Sequence, residues 1–538
     1  MSTYIPLPVD SNTSLISKPL HGGFITVNQE NGEYSYAYGP SGLKGLLHTR
    51  YAVLCALAAS LGGITFGYDQ GVIANVLVMK DFQERFPLSP FQIGLLTAVL
   101  ELGALFGALG AGSLANKLSR RDSIILSSVV FCIGSLLQTI ALDLNILMAG
   151  RCIGGVGIGA LSMLCPLYIS EMASPETRGS LISLEQFSIV SGVVLGFWVG
   201  FATRTLDGAA SWRIPLGLQV VLGLQLAIGA LWLPPSPRLL VFRGKETEAL
   251  KTLARLRDRD ESDPLLQLEL AEMRVEARLA YHFVKEGGDG WLDLFGPNLI
   301  SRTMIGVAAM FFQQWSGINA LLYYGPLLMA RIGLEGDSVS LIMSGFINIV
   351  QLLAVVPAMF LLDSVGRKPL LRVGTVLMAL SHLTVAILIY IGSEDWPSHQ
   401  MLAWGAVGSI YMFTASYGTS IGPIAWVLAN EVFPSGRIRS KGTSISTASN
   451  WFNNFLVGLV TPALIEYSPI LTFALLSSAC GAAYVWSTVF VPETKGLSLE
   501  EVDALFSSSM GRIDQERRKQ AYEDVGIPDI VRDIVDGA

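Results

Sequence analysis

The chain has 538 residues, 51% hydrophobic and only 15% charged, with a mean hydropathy of +0.50; soluble proteins carry about 25% charged residues, so the composition excludes an ordinary soluble domain. A formal net charge of -7 favours neither nucleic acid nor an anionic surface as partner. All five cysteines, Cys55, Cys132, Cys152, Cys165 and Cys480, fall within apolar runs, which implies no disulfide framework.

In chain order, residues 1–50 are polar and lack the short apolar core of a signal peptide, so they are expected to remain as a cytoplasmic amino-terminal tail. Apolar runs long enough to cross about 30 Å of hydrocarbon at about 1.5 Å per residue then predict twelve helices. They cover 53–79, 91–112, 123–142, 144–168, 182–202 and 213–233 in one half, and 303–328, 338–362, 370–392, 402–428, 440–464 and 469–491 in the other. The expected fold is an all-α membrane protein with six-helix bundles at 51–233 and 301–492. Between them, residues 234–300 carry ten Lys/Arg and many acids, which predicts a linker of soluble helices. A carboxyl-terminal tail, 493–538, includes Ser498-Leu499-Glu500-Glu501, the pattern of a capping box.

Basic residues accumulate on the cytoplasmic side of short connections. With the amino terminus inside, the inner segments hold thirteen (Lys18, Lys44, Arg50, Lys117, Arg120, Arg121, Arg178, Arg367, Lys368, Arg372, Arg437, Arg439 and Lys441) against five outside (Lys80, Arg85, Arg204, Arg213 and Arg331). The linker and both tails are therefore expected to be cytoplasmic, and the sequon at Asn12 unglycosylated. The two halves also repeat. Gly112 to Arg121 aligns with Met359 to Lys368 at an offset of 247 residues, matching Asn116 to Asp363 and Arg120-Arg121 to Arg367-Lys368. Glu171 with Arg178 has a looser counterpart in Glu431 with Arg437 and Arg439. Duplicated six-helix units place a binding site near the midplane between them.

Asp69 is a carboxylate inside an apolar span, a position that costs at least about 2.5–3.5 kcal/mol unless it is neutralised or used. Arg151 lies about 12 Å into span four and Asp69 about 15 Å into span one, both from the outer surface, so their depths match. A permanent pair joining the two helices and a working charge site both remain open. Glu101 in span two and Glu185 in span five are secondary candidates, either as further proton sites or as neutral acids bonded to a neighbouring helix. The chain has no nucleophile–base constellation, metal-ligand spacing or phosphate loop, so neither enzyme activity, cofactor nor metal is expected.

Several motifs occur in a fixed order: Phe66-Gly67-Tyr68-Asp69, the Arg120-Arg121 loop, Gly150-Arg151, Glu171 to Gly179, Pro235-Ser236-Pro237-Arg238, Gln313-Gln314-Trp315-Ser316-Gly317-Ile318-Asn319, Gly366-Arg367-Lys368 and Pro492-Glu493-Thr494-Lys495-Gly496. From about residue 50 to 500 the chain thereby resembles the sugar porters of the major facilitator superfamily, especially fungal monosaccharide transporters. It departs from the family pattern at Asn116 and Ser119, where Asp and Gly are usual, and at Pro235, where Glu is common.

The resemblance implies transport of a hexose or pentose by alternating access, with Asp69 and Arg151 as the proton-coupling pair. It places the sugar among Gln186, Gln313, Gln314, Asn319, Asn348, Trp426 and Asn454, with Asn450 and Trp451 beside them. On an unbroken helix Gln314 and Asn319 would point about 140° apart, so a break at Ser316-Gly317 is expected. Amides offer donors and acceptors to sugar hydroxyls, though they also join helices as structural links. Tyr323 and Tyr324 resemble an extracellular gate, with interface anchoring as the alternative. Arg120, Arg121, Glu171, Arg178, Asp363, Arg367, Lys368, Glu431, Arg437 and Arg439 resemble a cytoplasmic ionic gate. The expected partners are a small sugar, protons and membrane lipid, the expected location the plasma membrane, and the working unit a monomer. A facilitative uniporter, a carrier of polyol, quinate or disaccharide, and a non-transporting sugar sensor are the alternatives.

Overall fold

The computed structural model describes residues 15–20, 23–28, 34–39, 45, 49–174, 176–285, 290–297, 299–331, 337–392, 396, 399–433, 437–495, 506 and 512–537. Asn12, the motif Ser498 to Glu501 and the side chains of Asp363 and Arg437 lie outside the described residues.

The first half consists of α1 (Arg50–Val76), a short α2 (Lys80–Arg85), α3 (Pro90–Lys117), α4 (Arg120–Thr139), α5 (Leu144–Met172), α6 (Arg178–Thr203) and α7 (Ala210–Ala230). Helix starts are marked by side chains that satisfy the free amides of the first turn. Ser89 forms a capping box with Gln92, Ser119 accepts from Asp122 N, and Asp143 accepts from Ile146 N at 2.9 Å. The linker forms α8 (Pro237–Phe242), α9 (Glu246–Arg257), α10 (Pro264–Lys285) and a 3-10 turn (Leu292–Phe295).

In the second half two expected spans are each built from two helices. Span seven is α11 (Ile300–Trp315) followed by α12 (Ile318–Arg331), and span ten is α15 (Gln400–Thr419) followed by α16 (Ile421–Glu431). The continuous spans are α13 (Asp337–Ser364), α14 (Arg367–Gly392), α17 (Arg437–Tyr467) and α18 (Pro469–Val489). Among the described residues nine helices are individually long and apolar enough to cross a bilayer. The two broken spans and α17, whose inner face is rich in Ser and Asn, complete the expected twelve.

Glycine lets helices of the first half meet backbone to backbone. A Cβ on Gly67 would lie 1.8 Å from Ile189 O, and one on Gly71, Gly192 or Gly196 would stand 2.2–2.3 Å from a carbonyl oxygen across the α1–α6 contact. Gly103, Gly107, Gly155 and Gly159 close α3 onto α5 in the same way. The two halves meet along α3 with α17 and α6 with α13. Ser444 Oγ donates to Ala108 O at 2.6 Å across that interface, and Trp451 Nε1 donates to Ser162 Oγ at 2.9 Å.

Both tails contribute structure that the sequence reading passed over. Strands β1 (Leu15–Leu20), β2 (Gly23–Asn28) and β3 (Tyr34–Ala37) form an antiparallel sheet in that order. Its Ile25 and Val27 share a core with Leu265, Leu268, Ala271 and Val275 of α10 and with Ile527, Val531 and Ile534 of α20 (Ile527–Gly537), which follows α19 (Arg512–Val525). Tyr34 and Tyr36 both donate to Glu272 at 2.8 Å, and Tyr38 donates to Glu269 at 2.7 Å. Arg257 joins this module to the bundle: Nη2 reaches Glu269 at 2.7 Å while Nη1 donates to Met172 O at 2.9 Å, capping the free carbonyls that end α5.

Burial by itself would raise the Glu269 carboxyl, but the charge and hydrogen bonds of Arg257, with the bond from Tyr38, outweigh it and hold the group below its ordinary value. A lowered folded value stabilises above the unfolded one, about 4.3, and that contribution is lost as pH falls through the folded value. Arg257, raised by Glu269 against its own desolvation, stays charged throughout this range. Acidification below about pH 4 is therefore expected to loosen the sheet and linker before the spans. Hydrogen exchange across that range should show protection lost first in β2 and α10; uniform protection would contradict the tether.

Candidate functional site

The break in span seven organises the polar centre. Ser316 ends α11, and Gly317 adopts φ +100°, a left-handed conformation that a side chain disfavours. A break frees carbonyls in a medium without water. His382 Nε2, on α14, lies 2.9 Å from Ser316 O and supplies a partner.

With the helix redirected, the amides form one connected chain. Gln313 Nε2 donates to Gly422 O at 2.7 Å at the start of α16, and Asn450 Nδ2 donates to Gln313 Oε1 at 2.5 Å. Gln314 Nε2 donates to Asn450 Oδ1 at 3.1 Å, while Asn319 Nδ2 donates to Gln314 Oε1 at 2.5 Å and to Asn454 Oδ1 at 2.9 Å. Asn454 Nδ2 continues to the Tyr323 hydroxyl at 3.2 Å. Trp426 is buried one turn beyond Gly422, and Trp451 packs against Phe66 at 4.9 Å between ring centres. Gln186 on α6 and Asn348 on α13 are buried, and the side-chain oxygen of each lacks a hydrogen-bond partner among the described residues. Buried unsatisfied amides are rare and costly. They leave polar capacity for a hydroxyl-bearing ligand.

The charge site lies in the first half. Asp69 Oδ1 and Arg151 Nη1 are 3.7 Å apart, with the side chains 1% and 2% exposed. Arg151 Nε also donates to Leu96 O at 2.8 Å, and Gln219 Nε2 donates to Asp69 Oδ1 at 2.8 Å. Among the described residues Asp69 Oδ2 and Arg151 Nη1 have no hydrogen-bond partner. Gln70, next to Asp69, donates to the Tyr323 hydroxyl at 3.0 Å, so the ion pair and the amide chain are structurally continuous. Tyr324 donates to Gly458 O at 2.7 Å. Glu101 belongs to this charged neighbourhood, whereas Glu185 faces Gly63 and Cys165, away from Arg151.

At the linker end the duplication reappears as chemistry. Arg120 pairs with Glu171 at 2.9 Å and Arg367 with Glu431 at 3.1 Å, all four side chains buried. Glu493 accepts from the Arg367 and Lys368 amides, both at 3.0 Å, capping α14, and Thr494 donates to Glu431 at 2.9 Å. Not every expected gate residue shares these pairs. Arg121 is partly exposed and pairs with its neighbour Asp122, Lys368 contributes its backbone amide, and Arg439 donates to Asn430 O at 2.6 and 3.0 Å. Arg178 is buried in the same region.

Sequence reasoning missed Gln219, Gln70, His382 and Gln351, the last also buried with an unpartnered oxygen. The available signal was a polar residue within an apolar span, beside Asp69 for Gln70 and one turn from Asn348 for Gln351; partners 66 or 150 residues away had no local trace.

Residues 55–506 match the family described as "Sugar (and other) transporter". The chain is 35% identical over 517 residues to the "Probable glucose transporter rco-3" of Neurospora crassa, covering 89% of this chain and 84% of that protein. It is 34% identical over 473 residues to the "High glucose sensor RGT2" of Saccharomyces cerevisiae, covering 85% of this chain but 60% of that one. Among solved structures it is similar to the proton:xylose symporter XylE bound to 6-bromo-6-deoxy-D-glucose, with a TM-score of 0.75, 28% identity, and coverage of 85% of this chain and 100% of that one. The chain is a multi-pass membrane protein that belongs to the sugar porter family of the major facilitator superfamily, a family of transporters and not of enzymes.

Proposed function

We propose that this chain carries a monosaccharide across the plasma membrane by alternating access and couples that movement to protons through Asp69 and Arg151. The observation that carries the reading is an almost fully buried ion pair joined, by way of Gln70 and Tyr323, to a chain of buried amides. Unsatisfied oxygens on Gln186 and Asn348 suit sugar hydroxyls, and the indole of Trp426 suits a sugar's apolar face. The similarity to a solved proton:xylose symporter supports the coupling. By the basic residues of its short connections the linker end faces the cytoplasm. There the Arg120–Glu171 pair lies within the first half and Arg367–Glu431 within the second, and Arg120 Nη2 also donates across the halves to Ser440 Oγ at 3.4 Å; that bond forms in one state and must part in the other, which biases the equilibrium between states.

The likeness to a glucose sensor favours a second reading, sugar binding without transport, although this chain spans only 60% of that relative. Uptake of radiolabelled glucose, xylose and galactose in cells lacking their own carriers separates the two. Wild type is expected to concentrate one of these sugars and to lose that ability with a protonophore. Asp69→Asn should equilibrate sugar without concentrating it. Normal accumulation by Asp69→Asn would sink symport, and sugar-triggered signalling without movement of any solute would favour the sensor.

A further inference from the structure

Glu101 has no part in the mechanism just described, yet it lies where the charge site and the amide chain meet. It projects from α3, is 1% exposed, and its Oε2 has no hydrogen-bond partner among the described residues. Arg151 and Asp69 both act on it electrostatically. The Tyr323 hydroxyl accepts from Gln70 Nε2 at 3.0 Å and from Asn454 Nδ2 at 3.2 Å, which fills its acceptor positions. Its own proton is then directed to the remaining partner, the Glu101 carboxyl. The titratable groups facing Glu101 are Asp69 from α1, Arg151 from α5, and Tyr323 and Tyr324 from α12. Helix α17, also packed on α3, brings Asn454 to this level; its charged residues Arg437, Arg439, Lys441 and Glu466 lie toward its two ends.

Charge counting sets the consequence. Two carboxyls and one guanidinium sit where water is excluded, and an unpaired buried carboxylate is prohibitively costly. One arginine compensates one carboxylate, so the second carboxyl must hold a proton, as two acids crowded into one site do.

We propose that Glu101 is a second proton-binding carboxyl of this site: it shares Arg151 with Asp69, so that together they hold one resident proton, and the Tyr323 hydroxyl ties it to Asn454 in the amide chain. The proposal rests on the symport reading for its physiological use. Occupancy of the amide chain changes hydrogen bonding at Tyr323, therefore at Glu101, and so decides which carboxyl keeps the proton. The exchange breaks one O–H bond and forms another, with no redox partner.

The test is infrared spectroscopy of the full-length protein in lipid vesicles at neutral pH, reading the carbonyl-stretch band of protonated carboxyl groups. Glu101→Gln is expected to lose one such band, because Asp69 then has Arg151 to itself. Asp69→Asn is expected to lose the same band, because Glu101 then takes Arg151, and the double variant should lose no more than either single one. A band retained in either single variant would overturn the sharing. Tyr323→Phe keeps both carboxyls and the ring, so it covers the case in which a carboxyl variant misfolds; the band should shift in frequency, and an unmoved band would overturn the link to Asn454. Loss of the band as expected, alongside normal sugar accumulation by Asp69→Asn, would keep the shared proton site and discard its use in symport.

Discussion

Arg151→Met is expected to abolish concentrative uptake and to lower stability by about 3–5 kcal/mol, the cost of breaking a buried pair and leaving one charge behind. Asp69 would keep its bond from Gln219 but lose the cation 3.7 Å away, and Arg151's bond to Leu96 O would go as well. Most of the expected penalty is the stranded carboxylate, not the lost attraction, so removing that carboxylate should restore much of the fold. The double variant Asp69→Asn/Arg151→Met is accordingly expected to give more monodisperse protein and a higher melting temperature than Arg151→Met, with neither variant concentrating sugar. Thermal melting of the purified variants in detergent reads this directly. If the double variant melts no higher than Arg151→Met, the pair does not dominate stability at this point.

Gly67→Val is expected to be comparably severe for a different reason. Even the first carbon of a side chain would sit 1.8 Å from Ile189 O, an overlap with backbone that no rotamer relieves. Overpacking typically costs about 1–3 kcal/mol and more when neighbours cannot yield. Here α1 and α6 would have to part along the whole face that Gly71, Gly192 and Gly196 keep close. Asp69 lies two residues further on, so the displacement would also move the ion pair. Gly110→Ala is the matched control, since a Cβ there meets nothing within 4 Å. Yield and melting temperature should collapse for Gly67→Val and stay near wild type for Gly110→Ala; equal behaviour of the two would refute the close-approach account.

The parts of this molecule legible in its sequence are those written in local chemistry. Twelve spans follow from apolar length, and the two helical halves from the repeat at an offset of 247 residues. The break in span seven could be anticipated because Gln314 and Asn319 cannot converge on a continuous helix and Ser316-Gly317 lies between them. The duplication matched Arg120-Arg121 to Arg367-Lys368 and Glu171 to Glu431, but which of them pair was set by the packing: Arg120 with Glu171 and Arg367 with Glu431, while Arg121 takes its neighbour Asp122. The strands of residues 15–37 escaped notice because they are short and polar-flanked, and their apolar face is completed only by α10 and the far carboxyl-terminal α20.

By itself, then, the sequence determined a membrane-spanning chain, its duplicated helical halves, the broken seventh span and the isolated charges Asp69 and Arg151, since each depends on bilayer thickness, helix geometry or the expense of burying charge. Only the tertiary structure decided which groups meet. Gln219 reaches Asp69 across 150 residues, His382 reaches the free carbonyl of Ser316, and Tyr323 draws Gln70, Asn454 and Glu101 around one hydroxyl. A hydrogen bond acts over about 3 Å, and such distances between remote segments are set by the packing of whole helices, not by the residues flanking either partner.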